Sequence, residues 1–164
     1  HFIADDPPAT AVDALARVFR DTDGDLAEVA RALVQLDEAW EVPLDKVRTP
    51  FDLVLAGARA LGWEDEGGAM ATSLEMLGQP LYSAPSPEGW PDTAEEWLGP
   101  DAMLARLEWA ELLAEQSVAR VDDVERHLAR TLPPSDRTRR ALKRASTPTD
   151  QLALWVASPE FQRR

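Results

Sequence analysis

Apolar residues recur at helical spacing along almost the whole sequence, and no stretch alternates polar and apolar side chains convincingly. This periodicity is the feature that most restricts the fold, because a strand buries one face only if its side chains alternate with a period of two. Helix start and stop signals separate the periodic stretches. We therefore predict an all-α fold, a compact bundle of about seven to nine short and medium helices.

Local signals predict several helix boundaries. The prolines at 7–8 precede the first periodic stretch. At the start of a helix the missing amide hydrogen of proline removes no intrahelical hydrogen bond, so this position favours proline. Asp25 is predicted to cap the second helix, with Glu28 completing a capping box. The Thr-Pro pair at 49–50 starts another helix, which we expect to end at Gly62. In the longest periodic segment the apolar positions include Met103, Leu104, Leu107 and Leu112.

Composition bounds the class of protein. The chain has 164 residues, 45% of them hydrophobic, which suits a single all-helical domain over residues 1–164. The absence of cysteine excludes disulfides, thiolate metal sites and a cysteine nucleophile. No apolar run approaches the roughly 18 residues that cross a bilayer, so we expect no membrane insertion. The net charge of −13 disfavours nucleic acid as a partner.

The segment from Gly78 to Pro100, GQPLYSAPSPEGWPDTAEEWLGP, interrupts the helical pattern. Prolines fix the backbone and remove hydrogen-bond donors, so such a loop can be ordered without a ladder of backbone bonds. Its aromatic side chains could pin an ordered connector onto the helices. Alternatively, the segment lines a groove that binds or hydrolyses carbohydrate or another envelope polymer. The candidate ligand-binding residues are Tyr82, Trp90, Asp92, Glu95 and Trp97.

The sequence DTDGD is the candidate metal site. Asp21, Asp23 and Asp25 alternate along the chain, and a hard cation such as Ca²⁺ prefers carboxylate ligands. A calcium-binding EF-hand loop would need glycine and glutamate where Leu26 and Ala32 stand. The alternative is a turn between two helices in which Asp25 is a cap. We expect no cofactor, with calcium at the three aspartates as the weaker alternative.

No stretch carries a recognisable catalytic motif. His1 and His127 are too few for a zinc site in a chain without cysteine, and no nucleophile-elbow pattern supports a Ser-His-Asp triad. Residues 120–164 carry a net charge of +4, whereas residues 1–119 carry −17. The basic run lacks interleaved aromatic residues, which favours a solvated helix face or docking onto an acidic surface. Its members are Arg137, Arg139, Arg140, Lys143 and Arg144.

Four segments, taken in order, resemble one known family. HFIADDPP, RTPFDL, GQPLYSAPSPEGWPDT and SPEFQRR are together similar to the C-terminal part of the bacterial family of unknown function catalogued as DUF 1800. The resemblance covers nearly the whole chain but departs from the family at LDEAWEVPLD. It implies a larger exported protein in a periplasmic or extracellular setting, commonly encoded beside another exported protein. The polar motifs of the family lie in its N-terminal part, so no activity is carried over to this chain.

We therefore interpret the chain as a non-catalytic helical lobe, the C-terminal fragment of a larger exported bacterial protein. Its expected partners are the N-terminal part of the same parent protein and an exported protein encoded nearby. This interpretation predicts an exposed apolar surface near the first helix. The groove at residues 78–100, acting on carbohydrate or an envelope polymer, is the alternative.

Overall fold

The computed structural model describes residues 1–41, 45–63 and 68–164. Within these ranges the regular structure is helical, apart from the isolated bridges Val47–Arg163 and Ser86–Gly89. The predicted all-α fold is confirmed. The α-helices are α1 (Ala9–Asp21), α2 (Leu26–Gln35), α3 (Glu38–Glu41), α4 (Pro50–Leu61), α5 (Ala69–Met76), α6 (Ala94–Trp97), α7 (Pro100–Ser117), α8 (Val124–Thr131), α9 (Asp136–Leu142), α10 (Pro148–Val156) and α11 (Pro159–Gln162).

The helix count differs slightly from the predicted one for a physical reason. Helices α3 and α11 have four residues each, about one turn, which is too short for a periodic pattern to appear. A 3₁₀ turn, Val118–Arg120, continues α7. None of the helices in the described ranges is both long and apolar enough to cross a membrane.

The described residues form two compact units, His1–Lys46 and Val47–Arg164. In the first unit α1 packs against α2. The predicted cap is confirmed, because Oδ1 of Asp25 accepts hydrogen bonds from the amides of Ala27 and Glu28 at 2.9 and 3.3 Å. The carboxylate of Glu28 pairs with Arg31 instead of closing the capping box.

The second unit contains the main hydrophobic core. Helix α10 packs along α7, and Trp155 on α10 is fully buried. The indole N–H of Trp155 donates to the carbonyl of Leu132 at 3.2 Å, so its polar atom is satisfied inside the core. The predicted boundaries of α4 are also confirmed: the Thr49 hydroxyl accepts from the amide of Asp52, and Gly62 ends the helix with a φ of 61°.

Helix α7 buries a face that only one of its four leucines, Leu113, shares. Leu104, Leu107 and Leu112 are roughly half exposed, whereas Arg106 and Trp109 are buried. Apolar residues lie around most of this helix, so the periodic pattern predicts a helix but does not say which face packs.

Candidate functional site

The segment between Gly78 and Pro100 is fixed by one of its tryptophans. Trp97 is 5% exposed, and its indole N–H donates to the carbonyl of Pro91 at 3.0 Å. The ring of Trp90 lies 6.2 Å from that of Trp97 at a tilt of 49°, and Trp90 is partly buried. This geometry is that of an aromatic pair that holds a loop on a helical body.

The other candidate residues of this segment do not converge on the tryptophans. Tyr82 is fully exposed and has a φ of 58°, and Glu95 is exposed in the first turn of α6. Asp92 is partly buried, with Oδ1 lying 3.5 Å from Nη2 of Arg164. The structure therefore brings Trp90 and Trp97 together, ties Asp92 to the end of the chain, and leaves Tyr82 and Glu95 on the surface.

The three aspartates of the DTDGD turn have separate environments. Asp25 caps α2, Asp21 is the last residue of α1, and Asp23 lies in the turn with a φ of 54°. Across residues 1–41, 45–63 and 68–164, no three His, Asp or Glu side chains are grouped so that they could hold a metal ion. Calcium at this turn remains a prediction, and the geometry offers it no preformed cage.

His127 has a structural contact. Its Nε2 lies 2.6 Å from the carbonyl oxygen of Ala60, a distance at which the ring donates a proton and links α8 to α4. The basic run begins on α9, continues past its end to Lys143 and Arg144, and is exposed along its length. Arg139 pairs with Asp136 at 2.9 Å, within the same helix.

A buried arginine that sequence analysis did not single out organises the second unit. Arg106 is 2% exposed and donates through Nε to the carbonyl of Trp97 at 3.2 Å. Its Nη1 donates to Oε1 of Gln162 at 2.7 Å, and its Nη2 donates to the carbonyl of Arg48 at 2.8 Å. Burial lowers the pKa of Arg106 to about 10. These acceptors come from distant parts of the sequence, so one guanidinium fixes their relative positions.

The same region holds two further arginines. Arg48 donates through Nε to the carbonyl of Phe161 at 2.9 Å, and its guanidinium carbon lies 5.7 Å from the centre of the Phe161 ring. Burial lowers the pKa of Arg48, while Asp52 opposes that shift and Arg164 adds to it. Nε of Arg164 lies 3.0 Å from Oδ2 of Asp52. The guanidinium groups of these arginines contact carbonyl and carboxylate oxygen atoms of the protein itself. This arrangement indicates a structural role.

The first unit exposes large apolar side chains. Trp40 is 72% exposed, yet its indole N–H donates to the carbonyl of Val34 at 2.8 Å, so the ring is held in place beside that residue. None of the residues of α2 is buried. We call the following set the N-terminal apolar residues: Phe2, Val12, Phe19, Leu26, Val34 and Trp40, whose exposed fractions run from 49% to 72%.

Comparison with known families identifies the chain. A family model described as "Protein of unknown function (DUF1800)" matches residues 1–163. The chain belongs to the DUF1800 family. The resemblance noted from the sequence is thereby confirmed over residues 1–163. Comparison with curated proteins gives no match, and comparison with solved structures gives none either.

A second contact of this DUF1800 chain was not foreseen from its sequence. The carboxylate of Glu160 on α11 accepts from the amide of Ser135 at 2.9 Å and from the hydroxyl of Thr138 at 3.1 and 2.9 Å. Burial would raise the pKa of Glu160, but these hydrogen bonds dominate and lower it to about 2. The only early signal was the segment SPEFQRR, which carries part of the family resemblance and supplies Glu160.

Proposed function

We propose that this DUF1800 chain is a non-catalytic helical lobe that binds a protein partner through the N-terminal apolar residues. The observation that carries the proposal is the exposure of large apolar side chains on both α1 and α2. Monomeric proteins seldom leave extended apolar surface in water, because covering it is favourable by about 25 cal/mol per Å². A partner that covers these side chains would gain that free energy.

Trp40 and Val34 form the best-defined part of this surface. A tryptophan held by a hydrogen bond loses little conformational entropy on binding, and tryptophan is enriched among residues that dominate interface energies. Trp40 is more exposed than any other tryptophan in the described ranges. Its ring is therefore the expected anchor, with Leu26 and Phe19 as further contacts.

The partner in this proposal is the N-terminal part of the same parent protein, and a second exported protein is the next choice. The family resemblance supports a periplasmic or extracellular setting. The contacts of the buried Arg106 support a structural role for that residue, because its guanidinium donates to the carbonyls of Trp97 and Arg48 and to the side chain of Gln162.

The test uses the N-terminal part of the parent protein, expressed as a separate polypeptide and mixed with residues 1–164. We expect light scattering and titration calorimetry to show a defined complex. The variant Leu26→Ser/Trp40→Ser should weaken the complex by about tenfold or more, since truncated anchors typically cost over 1 kcal/mol each. A wild-type chain that stays separate at micromolar concentration would refute the proposal.

The matched control is Leu81→Ser/Tyr82→Ser, which removes a comparable exposed apolar pair from the Val47–Arg164 unit. We expect this variant to bind like the wild type. Both double variants should keep the wild-type melting temperature, because exposed side chains contribute little to folding stability. Equal weakening by the two variants would show that the N-terminal apolar residues are not the binding surface.

Binding of carbohydrate or an envelope polymer at residues 78–100 is the second candidate. The observation in its favour is the full exposure of the Tyr82 ring on a loop anchored by Trp97. Trp90 is partly exposed, so its fluorescence should respond to a ligand on this loop. A panel of soluble glycans that leaves the emission unchanged, in the wild type and in Tyr82→Ala, would count against this candidate.

A further inference from the structure

A groove lies between α7 and α10, and its chemistry differs from that of the N-terminal apolar residues. Its volume is about 640 Å³, and it lies entirely within the Val47–Arg164 unit. Its lining combines apolar side chains with carboxylates. Among the lining residues are Leu107, Glu111, Glu115, Ala153, Leu154 and Ala157.

The apolar part of the groove combines large and small side chains, a pattern that can accept the side chains of another helix. Leu107 and Leu154 are 45% and 42% exposed, so they project into solvent beside the groove. Ala153 and the C-cap residue of α10, Ala157, are one helical turn apart, and both are small and partly buried. Alternating large and small side chains along two packed helices is the surface into which ridges of a third helix fit.

The charged part of the groove is predominantly acidic. Glu111 and Glu115 are exposed, lie one turn apart on the same face of α7, and form no ion pair within the described part of the chain. Asp150 adds a third carboxylate, although its Oδ2 also accepts from the amide of Thr147 at 3.1 Å. Arg144 is the cation among the lining residues. Covering two carboxylates is favourable only if the occupant supplies cations.

We propose that the α7–α10 groove binds a cationic amphipathic helix of a protein partner. Leucine-like side chains of that helix would contact Leu107, Leu154 and the two alanines, while its lysines or arginines would pair with Glu111 and Glu115. From Leu107 to Glu115, α7 rises about 12 Å, so the groove matches roughly two turns of such a helix. An anionic or uncharged helix would leave the carboxylates covered without partners, which makes the site selective for charge.

The test measures fluorescence anisotropy of a labelled leucine–lysine peptide of about twelve residues, long enough to span the groove. Wild-type protein should bind it, and the same peptide with glutamate in place of lysine should not bind. Glu111→Lys/Glu115→Lys should weaken binding by about tenfold, and Leu107→Ser/Leu154→Ser by a similar factor. All the changed residues are exposed, so circular dichroism should show unchanged helix content.

The matched control must separate this site from the general field of an acidic protein. Glu75→Lys/Glu88→Lys changes the net charge equally at two exposed carboxylates that lie outside the groove, and it should alter binding less than about twofold. Equal loss in both charge variants, binding unaffected by the leucine variant, or no binding by the wild type would each overturn the proposal. No residue of the groove belongs to His1–Lys46, so these outcomes leave the proposed function untouched.

Discussion

Arg106 joins three separated parts of the Val47–Arg164 unit through a single guanidinium. Its acceptors are the carbonyls of Trp97 and Arg48 and the side chain of Gln162, and Gln162 in turn donates to the carbonyl of Val156 at 2.8 Å. A buried cation is expensive unless its donors are satisfied, and this one is satisfied by neutral oxygen atoms.

The first prediction concerns the loss of that cation. Arg106→Met should lower the free energy of unfolding by about 3 kcal/mol or more, because three buried acceptors lose a charged donor. Urea denaturation followed by circular dichroism measures the change. Arg137→Met, at an exposed position of α9, should change stability by less than about 0.5 kcal/mol. If the two variants behave alike, Arg106 does not organise this region.

Gly57 shows the opposite constraint, a position where no side chain fits. A Cβ atom there would lie 2.7 Å from side-chain atoms of both Trp109 and Leu113. Alanine should gain about 1 kcal/mol of helix propensity, yet we expect Gly57→Ala to be destabilising by about 1–3 kcal/mol because α7 must move away. Gly99→Ala meets no neighbouring atom within 4 Å, so its cost is only that of alanine at the N-cap of α7, and thermal melts should show a smaller loss than for Gly57→Ala. A stabilised Gly57→Ala variant would contradict the close approach of α4 and α7.

At the scale of elements, most helix boundaries follow from local chemistry. Pro8, Thr49 and Thr147 each precede a helix, and Thr147 forms a complete capping box with Asp150. The N-terminus of α9 has a local cap as well, since Oγ of Ser135 accepts from the amide of Thr138. In addition, the carboxylate of Glu160 from α11 accepts from the amide of Ser135, which couples the two helices. Periodicity along one segment cannot reveal a cap supplied by another segment.

The third prediction follows from this shared cap. The pKa of Glu160 falls from 4.5 to about 2 on folding, so its contribution to stability is present above about pH 4.5 and is lost as the pH falls towards 2. Glu160→Gln should be less stable than the wild type at pH 7 and should show a shallower loss of stability over that acid range. Urea denaturation at a series of pH values measures both effects. Parallel pH profiles for the two proteins would exclude the proposed role of Glu160.

At the scale of the whole molecule, the dominant electrostatic feature is an excess of negative charge. The net charge is −13, and self-repulsion of this kind is relieved by salt. The carboxylates are spread over the chain, and in the described ranges no three of them form a metal cage.

The fourth prediction separates screening from calcium binding. NaCl and CaCl₂ at equal ionic strength should raise the melting temperature by similar amounts, because both screen the same charges. EDTA added without further salt should leave the melting temperature unchanged. A shift specific to Ca²⁺ that EDTA abolishes would instead support a site at Asp21, Asp23 and Asp25. Asp21→Asn/Asp23→Asn, which leaves the Asp25 cap intact, would then remove the shift.

The sequence by itself determined the all-α class, the family and the starts and ends of several helices, because periodicity, capping residues and proline act over only a few neighbouring positions. Tertiary structure decided the rest. It selected the face of α7 that carries Arg106, Trp109 and Leu113 rather than the other three leucines of that helix. It also buried Trp97 while leaving Tyr82 exposed, and it brought Glu160 to Ser135. Each of these outcomes depends on contacts between residues far apart in the chain, where packing and desolvation, rather than local propensity, determine which arrangement is most stable.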